Sequence, residues 1–467
     1  MHDHRSANVT TQAGAFLREI WTALDGDTRL LPAVTFAGSG DLPSAFAVSD
    51  LAAACIAAAG LAVAELIAAR GGEPPAVKVD RRLASFWFGT TLRPLGWSRP
   101  PPWDPIAGDY AAADGWIRLH TNAPHHRDAA LAVLRVTADK TAVAGAVSHW
   151  RVDALEAAVV ERGGCAAAMR DLDAWARHPH GNAVASEPLA WIEHGDRAPG
   201  TDRPIAPDRP LAGVRVLDLT RVLAGPVGTR FLAGFGADVL RIDPPSWDEP
   251  GVVPEVTLGK RCARLDLRRT EDRRVFEALL GQADVLVHGY RPDALARLGL
   301  DPATRRGLRP GLIDVSLDAY GWSGPWRERR GFDSLVQMSS GIAAEGMRRF
   351  NTDRPKPLPV QALDQATGYI VAAGVLRGLT RRQVDGIGSG TRTSLARTAA
   401  LLCATPLQDR DEPFAEAGDA DFDAAVEATP WGPANRMKPP LVVEGAAMRW
   451  EHAANSLGSA AAEWTPR

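Results

Sequence analysis

The order of short apolar runs between residues 211 and 320 constrains this chain more than any other feature. Val214–Leu219 (VRVLDL) has the apolar, β-branched character of a strand. A Gly/Pro turn, RVLAGPVG, follows, then the helix-like TRFLAGFG, then a second strand-like run, ADVLRID. ADVLVHGY at 283–290 and LIDVSLDAY at 312–320 continue the alternation. Strands separated by helices predict βαβ units and a doubly wound parallel sheet, hence an α/β fold. In such a sheet the ligand crevice lies beyond the carboxyl ends of the strands, so chemistry is expected in the loops that follow these runs.

The first half of the chain has a different texture. Residues 1–30 read as an amphipathic helix, with Phe16, Leu17, Ile20, Trp21 and Leu24 at helical spacing. Residues 51–67 (LAAACIAAAGLAVAELI) are apolar but Ala-rich, and fall short of the roughly 20 residues a span needs. They read as a buried helix, so no membrane partner is expected. Prolines exclude regular structure at 97–105 (WSRPPPWDP). A strand-like patch at 115–121 follows, then helical segments at 127–136, 151–163 and 164–177. The Pro-rich, polar stretch RAPGTDRPIAPDRP at 197–210 reads as a linker, centred on 201–210. It divides the chain into a first region, 1–200, and a second, 211–467.

A formal net charge of −3 gives no support for a nucleic-acid partner, which needs a basic surface. Cys55, Cys165, Cys262 and Cys403 lie far apart and form no CxxC pair, so buried reduced thiols are expected rather than zinc or disulfides. The polar N-terminus, MHDHRSANVTTQ, lacks a signal-peptide core, and a cytoplasmic setting is expected. There is no HExxH, GxSxG or GxGxxG spacing, so neither a metal nor a tightly bound cofactor is expected.

Four constellations could carry chemistry. Asp364 stands before a small-residue helical run, where free N–H groups and the helix dipole favour a carboxylate. It is thus expected to be ionised at neutral pH, as a carboxylate nucleophile must be. Capping alone would look the same. Lys260, Arg261 and neighbouring arginines, joined by Arg291 and Arg297, could hold phosphates, or could be a solvated face. The segment Tyr320–Gly341 has the Gly and Pro positions of a loop that approaches a ligand closely, or of a structural turn. The turn at 223–228 carries no complete nucleotide fingerprint. A gapless match of Asp50–Gly60 with Asp364–Gly374 suggests an internal duplication.

The order of these motifs is more specific than any one of them. LAGVRVLDLTRVLAGPVGTRFLAGFGADVLRIDPP, GKRCARLDL, ADVLVHGYRPDALARLGL, the Tyr320–Gly341 segment and LDQATGYIVAAG together resemble the class III CoA-transferase family, from about 211 to 400. That family spans formyl-CoA and crotonobetainyl-CoA transferases and alpha-methylacyl-CoA racemase. The resemblance implies a Rossmann-like large domain with a smaller α+β domain, and interlocked dimers. It also implies coenzyme A or an acyl-CoA as substrate, with a carboxylic acid as the second partner. The family's nucleophilic aspartate falls on Asp364, and its CoA contacts fall on Val222, Ala224, Lys260, Arg261, Tyr290, Arg297 and Tyr320. YAAADGWIRLHT at 110–121 and WARHPHGNA at 175–183 resemble the family's small domain, and PPLVVEGAAMRWEHAANSLG its last residues. This order suggests two incomplete, fused copies, forming an intrachain pseudo-dimer or a homodimer, with Asp50 the relic of a first nucleophile.

The departures are specific. His288-Gly289 replaces the family's Glu-Asn, Leu258-Gly259 stands where an Asn is common, and no glycine-rich covering loop is present. Phe332 stands where the racemases carry a histidine and cannot exchange a proton, which favours transfer over racemisation. Acyl-CoA racemase or isomerase chemistry, and a non-catalytic CoA-binding role, remain the alternatives.

Overall fold

The computed structural model describes residues 11–69, 71–197, 205–405 and 413–466. Its central element is a seven-stranded sheet. In chain order the strands are β1 (Trp191–Arg197), β2 (Arg215–Leu219), β3 (Asp238–Asp243), β4 (Lys260–Arg264), β5 (Val285–His288), β6 (Ile313–Asp318) and β7 (Ile387–Ser394). Their order across the sheet is β4-β3-β2-β5-β6-β7-β1. Strands β2 to β7 pair in parallel and β1 closes the edge antiparallel. The parallel six thus follow the 3-2-1-4-5-6 order of a Rossmann sheet, whose switch point lies between β2 and β5. The expected α/β, Rossmann-like class is observed.

Side-chain alternation explains why both faces of the sheet are covered. Val216, Val239, Val285, Val287, Ile313 and Val315 join one core, whereas Leu217, Leu240, Ile242 and Leu286 join another with Phe276, Leu279 and Leu280. Helices that bury an apolar face must lie on each side of such strands. Four helices position the site: α1 (Val48–Ala68), α2 (Ala224–Gly234), α3 (Asp333–Ser339) and α4 (Ala362–Asp385). Helices α1, α2 and α4 pack together in the first core. Glycine permits the crossing of α2 and α4. A Cβ at Gly368 would lie 2.4 Å from the Ala224 carbonyl oxygen, and one at Gly228 would lie 2.6 Å from that of Gly368.

Helix α1 has the length and hydropathy of a membrane span, yet 83% of its apolar window is buried within the protein, as a core helix requires. The four cysteines are free, and three are buried. The helix expected over 1–30 is observed at Gln12–Ala23, with residues 1–10 outside the described residues. Part of the expected helix at 164–177 is instead the strand Ala166–Ala168, which pairs with Gly115–Leu119; only Leu172–Arg177 is helical. Three alanines carry little strand preference of their own, so sheet pairing decides the local structure.

Of the linker, 198–204 lies outside the described residues. The segments on either side of it share sheets: β1 pairs with β7, Leu92–Pro94 with Gly432–Met437, and Val77–Asp80 with Leu441–Val443.

Candidate active site

A cleft of about 960 Å³ opens where β2 and β5 diverge. That is near the upper end of the roughly 300–1,000 Å³ range of small-molecule sites. Its lining includes Thr220–Val222 after β2, Gly289–Pro292 after β5, Leu317–Ala319 at the end of β6, and Asp364. A second hollow, of about 110 Å³, lies near Glu193, Arg305 and Asp314, and is too small for an extended ligand.

The turn between β2 and α2 is held from three sides. Asp218, fully buried, accepts hydrogen bonds from the Thr220 amide (2.9 Å), the Thr229 hydroxyl (2.6 Å) and Lys260 Nζ (2.9 Å). Val222 has φ of 63°, in the left-handed region that a β-branched residue rarely enters. Such a conformation costs on the order of 1–3 kcal/mol and persists only where surroundings enforce it. Here the Val222 amide donates to Glu249 Oε2 at 2.9 Å, and Glu249 also accepts from Trp247 Nε1 (3.0 Å) and from the buried Arg241. The strained turn brings Ala224 and Gly225, at the start of α2, to the cleft. No side chain caps α2, so its first amides are free of intrahelical partners, the arrangement that favours anions. Beside it, the Arg221 guanidinium lies 4.9 Å from the Trp247 ring and 5.1 Å from the Tyr290 ring, and donates to the Tyr290 hydroxyl at 2.8 Å.

Asp364 is the third residue of α4, not its cap, and is only 8% exposed. Among the described residues no hydrogen bond reaches its carboxyl oxygens. Its own amide donates to Asp333 Oδ2 at 2.9 Å. Asp333, fully buried at the start of α3, also accepts from Gln337 Nε2, and Gln337 Oε1 accepts from the Leu358 amide at 2.7 Å. Burial, then the negative charge of Asp333, push the Asp364 carboxyl well above the usual range. Burial likewise raises Asp333, to about 6. The expectation that the helix N-terminus would keep Asp364 readily ionised is therefore corrected: desolvation and a like charge outweigh the dipole. A third carboxyl, Asp318, is raised by burial to about 8, although the Gly321 amide donates to its Oδ1 at 2.7 Å.

The cleft unites Asp364, Val222, Ala224 and Tyr290, and leaves out the other four expected contacts. Lys260 is fully buried at the amino end of β4, its ammonium bound to Asp218 and to the Pro226 carbonyl oxygen (2.9 Å each). It supports the β2–α2 turn from inside. Arg261 pairs with Asp238 at 2.9 Å, and the exposed Arg297 with Asp293. Tyr320 is fully buried, its hydroxyl 3.1 Å from that of Ser339. The basic run thus does not line the crevice: aspartates take up Lys260, Arg261 and Arg268, and the carbonyl oxygens of Pro244, Pro245 and Trp247 take up Arg264. Cations at the cleft come instead from Arg221, Arg291, Arg327, Arg329 and Arg330. Of these, Arg291 was marked with the basic run, and Arg327, Arg329 and Arg330 lie within the marked segment Tyr320–Gly341. Trp247 and Glu249 belong to no marked motif, whereas Asp333 lies within the Tyr320–Gly341 segment, directly after Phe332.

Residues 211–428 match the model of CoA-transferase family III, and this region belongs to that family. A probable fatty acyl-CoA transferase of Mycobacterium tuberculosis is 32% identical over 215 residues, which is 43% of this chain and 54% of the relative. A formyl-CoA:oxalate CoA-transferase of Streptomyces avermitilis is 27% identical over 231 residues, 46% and 56% of the two chains. The crystal structure of a hypothetical protein from M. tuberculosis is similar at 30% identity, covering 42% of this chain and 56% of that one, with a TM-score of 0.38. The chain thus spans about half the length of these relatives.

Proposed function

We propose that the chain is a CoA-transferase that moves coenzyme A from an acyl-CoA to a free carboxylic acid, with Asp364 as nucleophile. The observation that carries this reading is Asp364 itself: a buried carboxyl without a bonding partner among the described residues, in the cleft at the Rossmann switch point. A carboxyl with raised pKa is a stronger nucleophile once ionised, and covalent relay divides one hard exchange into easier steps.

The Asp364 carboxylate attacks the thioester carbonyl, forming a mixed anhydride and releasing CoA thiolate. The thiolate attacks the Asp364 carbonyl of the anhydride, giving an aspartyl-CoA thioester and the donor's free carboxylate. An acceptor carboxylate attacks that thioester, forming a second anhydride and thiolate. The thiolate then attacks the acceptor's carbonyl, producing the new acyl-CoA and restoring Asp364. CoA would lie along Val222, Ala224 and Tyr290, its phosphates facing the start of α2 and the Arg221 and Arg291 cations. Binding of this remote part would fix the thioester near Asp364. No tightly held cofactor enters these steps. The small-domain-like segments and α1, packed on α4, would complete the site as an intrachain pseudo-dimer.

Incubation with a panel of acyl-CoAs, hydroxylamine trapping and peptide mapping by mass spectrometry test the reading. A hydroxamate at Asp364 is expected. An unmodified Asp364 with every donor, while CoA still binds, would overturn it.

A further inference from the structure

His126 lines the same cleft as Asp364 but comes from the first region of the chain, in the helix Pro124–Leu134. It is 4% exposed, and both ring nitrogens are buried without a hydrogen-bond partner among the described residues. Two other buried histidines, His120 and His180, are different. His120 Nδ1 lies 3.3 Å from the Ser334 hydroxyl, and His180 uses both nitrogens, with the Tyr320 carbonyl oxygen at 2.6 Å and the Trp326 amide at 3.1 Å. A buried polar group left unpaired calls for an explanation, and a ligand that completes it is one.

The surroundings hold this ring in place and leave it neutral. Phe332 stacks on His120 with ring centroids 3.7 Å apart and meets His126 edge-on at 5.7 Å, while the His125 ring lies 4.1 Å from it. Burial, then the positive fields of His125 and Arg330, push the His126 imidazole down to about 3. A neutral imidazole offers one donor and one acceptor, so it can bond a hydroxyl or a carboxylate. An acyl chain ending in a methyl group would leave both nitrogens unpaired in the complex. A site built to hydrogen-bond a substrate oxygen rejects the analogue lacking it more strongly than an apolar pocket rejects an extra group. Arg327 and Arg330, on the same lining, add attraction for an anionic end.

We propose that His126 is a specificity residue of this site, bonding an oxygen function at the end of the acyl chain remote from the thioester. The preferred acyl unit then ends in a carboxylate or a hydroxyl rather than a methyl group. The inference deepens the transferase reading and rests on it for the placement of the acyl chain.

The test is the affinity of the full-length protein for three non-reactive CoA thioethers with equal four-carbon chains, ended by carboxylate, hydroxyl or methyl. Wild type should bind one or both of the oxygen-ended analogues roughly tenfold or more tighter than the methyl-ended one. The stronger of the two identifies the terminal group. His126→Phe should bring the ratio close to one, whereas His126→Gln, which keeps a donor and an acceptor, should retain part of it. Equal binding of the three by wild type would overturn the inference, whatever the variants do, and so would a ratio unchanged in His126→Phe. Hydroxamate trapping at Asp364 with the corresponding thioesters reads the transferase chemistry separately: no label with a clear binding preference would sink the chemistry and keep the pocket.

Discussion

Asp50 and Asp364 occupy the same position in two long, small-residue helices that pack against each other. Each is the third residue of its helix, and each follows a cap residue without a side-chain hydrogen bond. The caps are almost identical in backbone, with φ −75° and ψ 59° at Ala47 and φ −77° and ψ 66° at Gln361. Their partners are opposite. Asp50 Oδ1 accepts from Arg81 Nε at 3.0 Å, and Arg81 also binds Asp41 and the Gly40 carbonyl oxygen. Asp364 has the Asp333 carboxylate for a neighbour and, among the described residues, no cation bonded to it. Equal helix ends therefore give an ion pair in one case and an unpaired carboxyl with a raised pKa in the other. Neighbouring charge decides the difference, and the helix dipole does not.

The sharpest way to break this comparison is to exchange the two carboxyls for amides separately. On the proposed mechanism Asp364→Asn should lower CoA transfer by on the order of 10³-fold or more, since it removes the carboxylate that would form the covalent bond. Asp50→Asn should leave transfer within a few-fold of wild type. Steady-state transfer with both variants measures this, and equal losses would mean that Asp50 also serves the reaction. Next in size is a stability effect confined to α1. Arg81→Leu removes the cation from a buried pair and should destabilise the protein by about 3 kcal/mol, read from urea unfolding. Lys260→Met should cost a similar amount by stranding Asp218, and a variant that stays as stable but binds CoA weakly would make Lys260 a ligand contact after all.

An intermediate effect concerns pH. If Asp364 is the nucleophile proposed, it must be ionised to attack, and its raised pKa should put the acid limb of the transfer rate above the usual carboxylate value of about 4. Asp333→Asn removes the neighbouring negative charge, so the Asp364 pKa should fall and the limb should move to lower pH. The sign for stability is the reverse of the usual aspartate case. A carboxyl whose folded pKa lies above its unfolded value stabilises the fold below the unfolded value and loses that contribution as pH rises through the folded one. For Asp333 that window runs from about 4 to about 6. Asp333→Asn should therefore gain stability on wild type as pH is raised from 4 to 7, and a limb and a stability difference that do not move would refute the coupling.

Periodicity and motif order made the fold legible: the runs at 214–219, 238–243, 285–288 and 313–318 are all strands of one parallel sheet, as their apolar character demands. The family resemblance also marked Asp364, Val222, Ala224 and Tyr290, all of which line the cleft. What composition could not supply is where a charged side chain spends its charge. Lys260 and Arg261 sit next to each other in a basic run, yet one is drawn inward by Asp218, 42 residues earlier, and the other outward by Asp238. The state of Asp364 likewise depends on Asp333, 31 residues away, and on burial that no local pattern encodes. Val222 in the left-handed region was illegible for a related reason, because Glu249 enforces it through the tertiary fold.

The smallest effect sharpens the comparison of α1 with α4 away from the charges. Gly60 and Gly374 are equivalent positions in the aligned segments, and in a helix interior alanine is better than glycine by about 1 kcal/mol. A Cβ at Gly374 would meet Thr391 Cγ2 at 3.1 Å, with the other Thr391 atoms at 3.6 and 3.7 Å, so a slight shift of one side chain accommodates it. At Gly60 it would meet Leu441 Cδ1 at 2.6 Å and Val77 Cγ1 at 3.0 Å, two apolar side chains of the strands that cover α1. The propensity gain should then survive in part at Gly374, leaving Gly374→Ala within about 0.5 kcal/mol of wild type. At Gly60 overpacking, which costs about 1–3 kcal/mol, should outweigh it. Urea midpoints of the two variants measure the difference. Equal midpoints would mean that α1 and α4 meet their surroundings with the same slack, and that the two halves differ in charge alone.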